Sequence, residues 1–127
     1  MGNTTSNFVN LDEVSKEKSL FSFKVTLVEL SVKRKNKELT KTMPNYKFKL
    51  KLYPSTLTLK NENCKIIDFS YYNIKSWVND KKFFSFETIE GDTYNFLTDN
   101  IDSSHISMAL TGICKDIKKK DENNQNF

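Results

Sequence analysis

The sequence predicts a mainly β fold, a seven-stranded antiparallel barrel or sandwich capped by one C-terminal amphipathic helix. Through most of residues 21–98, apolar side chains alternate with polar ones, which is typical of half-buried strands. Turn-forming residues interrupt the alternation at short intervals, as they do in antiparallel sheets. The apolar spacing then changes to four, three and four residues at Ile106, Leu110, Ile113 and Ile117, which is one face of a helix. Such a helix buries its stripe at the open end of the sheet.

Two strands are predicted first. The alternation begins at Phe21 and its phase shifts at Leu30, which predicts a bulge near Val28. Residues 33–42 are polar and basic, and we expect them to form a loop. Pro44 stands at the entry to the second strand, where a missing N–H is tolerated. The two faces of that strand separate cleanly: Tyr46, Phe48, Leu50 and Leu52 face one way, and Lys47, Lys49 and Lys51 face the other.

Five shorter strands are predicted around residues 57–59, 64–69, 72–78, 83–86 and 94–96. Residues 61–63 indicate a hairpin turn because asparagine tolerates positive φ. Residues 79–82 form another turn. In the turn at residues 90–92, Gly91 supplies the positive φ.

The helix is predicted to begin at Asp102 or Ser103, either of which suits an N-cap, and to run for about four turns. Lysines near its C-terminal end, at position 115 and over residues 118–120, complement the helix dipole. Gly112 lies inside the helix at a cost of about 1 kcal/mol against alanine. This glycine suggests close packing of the helix against a strand.

The chain divides into three segments. We expect a flexible, lipidated N-terminal arm over residues 1–20, one folded domain over residues 21–120 and a disordered tail over residues 121–127. A chain of 127 residues is long enough to bury one core without disulfides or metals. No apolar run approaches the ~20 residues that span a bilayer, and no signal-peptide pattern is present.

The order of seven strands and a C-terminal helix resembles the pleckstrin-homology-like fold. Over residues 57–117 the pattern is similar to the phosphotyrosine-binding and FERM-C branch of that fold, in which an Ile precedes a Trp by three residues. Ile74 and Trp77 have that spacing here, and the aromatic runs Phe83–Phe86 and Tyr94–Phe96 follow them. The resemblance implies a binding module, with a peptide adding to the sheet beside the helix as one function of that branch.

The N-terminal sequence carries a lipidation motif. Residues 1–6 match the M-G-x-x-x-[ST] signal for N-myristoylation, with Gly2 as the acylated residue and Ser6 as the hydroxyl residue. One myristate binds membranes at only about 10⁴ M⁻¹, so stable residence needs a second signal. That signal is a basic surface, a protein partner or modification of a distant cysteine. Cys64, expected in a strand, and Cys114, expected on the helix, are both predicted to be packed.

The N-terminal motif, the predicted fold and the composition together suggest a family. A short protein with Gly2 in this motif, a pleckstrin-homology-like body and many Asn and Lys residues resembles the inner membrane complex sub-compartment proteins of apicomplexan parasites. The resemblance implies a lipid-anchored scaffold or adaptor at the cytosolic face of that membrane system, whose domain binds proteins. Members of the family also carry palmitoylated cysteines near the N-terminus, and no cysteine precedes Cys64 here.

Basic residues are concentrated in one part of the chain. The segment from Lys24 to Lys51 holds nine basic and two acidic residues, although the formal net charge of the whole chain is only +4. It supports the alternative function, a phosphoinositide or anionic-lipid binding module that uses the loop between strands one and two. A solvated lysine face that protects an exposed strand is the other explanation. The candidate residues for an anionic-lipid patch are Lys33, Arg34, Lys35, Lys47 and Lys49.

Nucleic-acid binding and catalysis are not predicted. Tyr46 and Phe48 fall on the face opposite the lysines, so they cannot form a stacking platform beside them. His105 is the only histidine, and its neighbours Ser103 and Ser104 belong to no recognised catalytic motif. Spacing typical of zinc ligands is absent as well. We therefore expect no enzyme activity, no cofactor and no metal.

Overall fold

The structure, a computed structural model, describes residues 18–35 and 37–125. These residues form seven strands and one long helix, with a 3-10 helix, Tyr71–Asn73, between the fourth and fifth strands. The elements are β1 (Phe21–Arg34), β2 (Lys37–Leu52), β3 (Thr56–Asn61), β4 (Ile66–Ser70), β5 (Ile74–Asp80), β6 (Phe83–Thr88), β7 (Thr93–Leu97) and α1 (Asn100–Gln125).

The seven strands make one antiparallel sheet in the order β4-β3-β2-β1-β7-β6-β5. Since β4 and β5 are its two edges and do not pair with each other, the barrel is not closed. The helix α1 packs against β5, β6 and β1. The predicted architecture, a seven-stranded antiparallel sheet capped by one C-terminal helix, is confirmed.

The first two strands form a hairpin that is longer than predicted. Pairing continues past the core through Ser31 with Thr40 and Val32 with Leu39, out to Arg34 with Lys37. The predicted loop over residues 33–42 is therefore wrong. The ladder of backbone hydrogen bonds holds this tip in place, although Leu39 is 68% exposed and no core lies beneath it. Lys35 provides the positive φ of the turn, at 57°.

A bulge interrupts the pairing of β1. The register shifts between Leu27 and Glu29 against both β2 and β7, as the change of phase predicted. Opposite this point, residues 43–45 of β2 lie between the paired positions Thr42 and Tyr46. Pro44 lies in this stretch, where the register with β1 is irregular and a missing N–H is tolerated. The bulge lets one long strand bend and pair with both neighbours.

The core lies between the inner face of the sheet and α1. Phe86 is at its centre, with ring centroids 5.1 Å from Phe69, 5.1 Å from Tyr94 and 6.0 Å from Phe96. The helix adds three side chains of the predicted stripe, and Ile117 packs at the margin. The buried apolar residues in the described part of the chain are Val25, Leu27, Leu50, Leu52, Leu57, Leu59, Tyr71, Ile74, Phe84, Phe86, Phe96, Ile106, Leu110 and Ile113.

The helix starts earlier than predicted. Its cap is Asp99, whose Oδ1 accepts a hydrogen bond of 2.7 Å from the backbone N–H of Asp102. Ser103, proposed above as a cap, lies inside the helix, is fully buried and donates its hydroxyl to the backbone oxygen of Lys81. This contact ties the first turn of α1 to the β5–β6 turn.

The helix also ends later than predicted, because residues 121–125 are helical where a disordered tail was expected. Tyr72 donates its hydroxyl to both carboxylate oxygens of Asp121, at 2.9 and 3.1 Å, which fastens this part of α1 to the 3-10 helix. The hydrogen bond raises the pKa of the Tyr72 hydroxyl. Residues 1–17 of the predicted arm and residues 126–127 of the predicted tail lie outside the described residues.

The glycine inside α1 does not allow a close approach. Beyond its chain neighbours and the nearby backbone of its own helix, a Cβ built on Gly112 would have no atom within 4 Å. The expected packing of Gly112 against a strand is therefore wrong. Gly91 is different: its φ is 98°, and an added Cβ would lie 3.2 Å from the Cβ of Lys33.

These two glycines predict opposite effects of alanine. Gly112→Ala should stabilise the protein by about 0.5–1 kcal/mol, because it removes backbone freedom from the unfolded chain and meets open space. Gly91→Ala should destabilise it by about 1–2 kcal/mol, because alanine resists that φ. Chemical denaturation of both variants measures the difference, and equal shifts would contradict it.

Candidate functional site

The structure divides the predicted anionic-lipid patch into two separate parts. Lys33, Arg34 and Lys35 lie at the tip of the β1–β2 hairpin, whereas Lys47 pairs with Thr26, eight residues back along β1 from Arg34. At 3.3 Å per residue, that separation is roughly 25 Å along the strand. The five residues therefore do not form one surface, and the predicted patch is corrected.

Arg34 is already engaged at the hairpin tip. Its guanidinium binds both carboxylate oxygens of Asp92, at 2.6 and 3.2 Å, and lies 3.5 Å from Glu90. It also donates to the backbone oxygen of Glu90 at 3.1 Å. The hydrogen bond with Asp92 raises the pKa of Arg34. The group links the β1–β2 hairpin to the β6–β7 turn, so it is not available to a phosphate.

The second part of the patch belongs to a larger set of lysines. Lys49 lies opposite Lys24 on β1 and opposite Lys60 on β3. Lys47 and Lys51 flank it along β2 on the same face, because side chains alternate along a strand. We call these five residues, Lys24, Lys47, Lys49, Lys51 and Lys60, the lysine face.

The lysine face is the outer surface of β1, β2 and β3. The intervening residues of β2, Leu50 and Leu52, point inward and are fully buried. In the described part of the chain, no carboxylate lies within ion-pair distance of any of the five ammonium groups. Side chains directly opposite in an antiparallel pair have Cβ atoms about 5 Å apart, and like charges there are destabilising.

Two carboxylates lie near the border of the lysine face. Glu62, in the β3–β4 turn, lines the same shallow hollow as the five lysines. Asp68, on β4, accepts a hydrogen bond of 2.6 Å from the hydroxyl of Thr58. Neither forms an ion pair with the lysines, so the face keeps its positive charge.

The strand order excludes one explanation of these lysines. A row of charged side chains can protect an exposed strand from pairing with another chain. However, β2 pairs with β1 on one side and with β3 on the other. The edges of the sheet are β4 and β5, so lysines on β2 have no edge to protect.

Among the described strands, β5 is paired on one side only, and its other edge lies beside the helix. β5 forms its ladder with β6 and ends the strand order. Between β5 and the second half of α1 is a groove of about 320 Å³ with an apolar floor. Its lining includes Tyr71, Ile74 and Trp77 on one side, and Cys114 and Ile117 on the helix. The hydrogen bond of Tyr72 with Asp121 crosses one end of this groove.

A second apolar hollow lies on the other side of the helix. Leu20 and Phe21, at the start of β1, line it together with Met108 and Ile113 of α1. Met108 is 68% exposed. The chain enters the domain here, since the N–H of Leu20 donates to the backbone oxygen of Leu52 at 2.7 Å.

The two cysteines occupy different environments. Cys64 is exposed in the β3–β4 turn with a φ of 62°, so its predicted place in a strand and its predicted packing are both wrong. The side chain of Asn61 shapes this turn by accepting hydrogen bonds from the N–H groups of Asn63 and Lys65, both at 2.9 Å. Cys114 is partly buried on α1, and burial raises its thiol pKa.

Among the described residues, the ionisable groups do not converge on a reaction centre. No group of three or more His, Cys, Asp or Glu residues could hold a metal ion there. His105 is exposed on the first turns of α1. No helix of the described chain is both long and apolar enough to cross a membrane. Gly2 and Ser6, the residues of the lipidation motif, lie outside the described residues.

The predicted patch left out three members of the lysine face, Lys24, Lys51 and Lys60. The alternation along β2 had already placed Lys51 on the same side as Lys47 and Lys49, whereas Lys24 and Lys60 lie on other strands and become neighbours of Lys49 only through the pairing register. The alternation within β1 and β3 places both side chains on the outer face. The missing information was the order of the strands.

Comparisons with known proteins support the fold. No family model and no curated protein matches the chain. Among solved structures, the chain is similar to the C-terminal domain of an unknown protein from Leishmania infantum, with a TM-score of 0.57 and 18% identity over 87% of this chain and 97% of that one. It is also similar to the complex of the FERM and C-terminal domains of Drosophila Merlin, with a TM-score of 0.60 and 13% identity, covering 94% of this chain and 36% of that one.

The environments of the cysteines predict a difference in reactivity. A maleimide at mildly alkaline pH should modify Cys64 about tenfold faster than Cys114, because the buried thiol is less accessible and its raised pKa leaves less thiolate. Intact-mass measurements over time on Cys64→Ser and Cys114→Ser variants separate the two rates. Equal rates would contradict the burial of Cys114.

Proposed function

We propose that this protein is a myristoylated, membrane-associated adaptor, without enzyme activity, whose pleckstrin-homology-like domain binds other proteins. The observation that carries the protein-binding part is the free edge of β5 beside α1. An extended peptide can add to such an edge with main-chain hydrogen bonds, while pockets beside the edge select its side chains. Here the apolar groove lined by Trp77 and Ile117 would provide the pocket.

The membrane part of the proposal rests on the motif at Gly2. A myristate on this residue would hold the protein at the cytosolic face of a membrane, as a peripheral protein. The resemblance of both chain ends to inner membrane complex sub-compartment proteins suggests the inner membrane complex as that membrane. Because one acyl chain is a reversible tether, the folded domain must contribute to residence.

The alternative function, phosphoinositide binding through the β1–β2 loop, has less support. It requires free basic groups at the hairpin tip. There Arg34 binds Asp92 and Glu90, and Lys33 lies 3.8 Å from a carboxylate oxygen of Glu38. Carboxylates that already surround the tip would compete with a phosphate.

The acyl anchor predicts a change of mass and of location. Co-expression with an N-myristoyltransferase should remove Met1 and add one myristoyl group, as intact mass records. A Gly2→Ala variant should stay unmodified, and a larger share of it should appear in the soluble fraction. Gly112→Ala, the same substitution at a site where an added Cβ meets open space, is the matched control and should keep both the acyl group and the membrane location. An unmodified wild type would contradict the anchor.

The free edge of β5 predicts where a protein partner touches the domain. A photo-cross-linking amino acid at Val78, which is 60% exposed on β5, should give discrete protein adducts in cells. The same amino acid at Leu39, which is 68% exposed on the β1–β2 hairpin, is the matched control. Adducts of the same masses at both positions, or none at Val78, would contradict binding at this edge.

A further inference from the structure

The lysine face concentrates positive charge on one side of the domain. The whole chain has a formal net charge of +4, and the face alone carries five positive charges, so the rest of the chain is net negative. The field of such a molecule is directional and would orient the lysine face toward an anionic surface.

The geometry of the lysine face suits contact with an extended surface and not the capture of one ligand in a pocket. Three neighbouring strands span about 10 Å, and Lys47 to Lys51 spans about 13 Å, so five charges share a patch of roughly that size. All five are lysines, which act as point charges and lack the bidentate fork that reads one phosphate in a fixed orientation. A spread of lipid head groups matches this arrangement.

The position of the chain entry also favours a membrane. The backbone N–H of Leu20 donates to the backbone oxygen of Leu52, and Leu52 directly follows Lys51. Moreover, Lys24 follows the start of β1 by three residues. The segment that leads back to Gly2 therefore leaves the domain at the border of the lysine face. Gly2 and Leu20 are 18 positions apart in the sequence, which gives a contour length of at most about 65 Å.

Nucleic acid fits the face less well. Binding to single strands combines positive charge with aromatic side chains on which bases stack. The aromatic residues of β2, Tyr46 and Phe48, alternate with the lysines and point to the other side of the sheet. Among the described residues that line the hollow at the lysine face, Phe48 is the one aromatic residue, and its side chain packs against the core.

We propose that the lysine face is a second membrane-binding site, at which the outer surface of β1, β2 and β3 lies on an anionic bilayer without recognising one particular head group. It deepens the proposed function by supplying the additional signal that one myristate needs. It does not require the acyl chain, so the two can be tested separately.

The test uses the unacylated full-length chain and vesicles of defined composition. The vesicles are phosphatidylcholine alone, phosphatidylcholine with phosphatidylserine, and phosphatidylcholine with a phosphoinositide at the same total charge. We expect co-sedimentation with both anionic vesicles to similar extents, none with phosphatidylcholine, and strong weakening as salt shortens the Debye length. A large preference for the phosphoinositide at equal charge would overturn the proposal in favour of a head-group reader.

A matched pair of triple variants tests the location. Each lysine near an anionic membrane contributes about a fivefold factor in partitioning, so Lys24→Gln, Lys49→Gln and Lys60→Gln together should lower binding by about a hundredfold. The control removes the same charge from exposed lysines of α1, with Lys115→Gln, Lys118→Gln and Lys119→Gln, and should change binding by only a few-fold. Equal losses in both would mean that net charge alone matters and would overturn the proposal.

Two further measurements complete the test. Denaturation curves should show the first triple variant to be at least as stable as wild type, because the change removes like-charge neighbours. Loss of binding in a folded variant then reports on the surface. Tight binding of an RNA oligonucleotide that the same variant abolishes, with no binding to anionic vesicles, would overturn the proposal in favour of a nucleic-acid site. If vesicles fail to bind while Gly2→Ala still releases the protein from membranes, the anchor stands and the lysine face does not.

Discussion

Packing of the helical stripe Ile106, Leu110 and Ile113 against the inner face of the sheet determines the rest of the architecture. A sheet whose edges do not meet leaves one side of its core open to water. The stripe covers that side, and Asp99 and the buried hydroxyl of Ser103 fix where the helix begins. β5 ends the strand order, and because the helix lies along β5 and β6, a groove forms between the helix and β5. The candidate protein-binding site is thus a consequence of how the core is closed.

The same strand order decides between the possible roles of the lysines of β2. On an edge strand they would discourage unwanted pairing, but β2 is paired on both sides. Lysines that face each other across three strands reduce stability slightly, and no carboxylate of the described chain compensates them. The hairpin tip shows the opposite arrangement, since Arg34 there is bound by Asp92 and Glu90. Carboxylates therefore neutralise Arg34, which joins the two turns, whereas the lysine face stays charged.

Sequence patterns predicted what depends on local periodicity. The inward set of β2, the bulge near Val28, the turn at Gly91 and the stripe of α1 all follow from side-chain spacing or from one residue's φ. The predictions that were wrong concern features that depend on tertiary contacts. Residues 33–42 are strand because the β1–β2 ladder extends beyond the core, and α1 continues to Gln125 because Tyr72 holds Asp121. Likewise, the predicted patch grouped residues that are close in sequence. The pairing register instead brings Lys24 and Lys60 beside Lys49. Arg34 does not belong to that group, because it lies at the hairpin tip and binds Asp92 and Glu90.

The two proposed sites lie in positions that allow both to act at once. Three strands, β1, β7 and β6, separate β2 from β5 in the sheet order, and the lysine face is on the outer surface of β1–β3. A domain resting on that surface keeps the groove between β5 and α1 away from the bilayer. The acyl chain and the lysines would then act as two weak contacts on one membrane, where the second forms at the high effective concentration that the first creates. Loss of either contact would leave the domain held by one weak, reversible contact. The membrane attachment of a partner bound at β5 would therefore depend on the charge of the lipids.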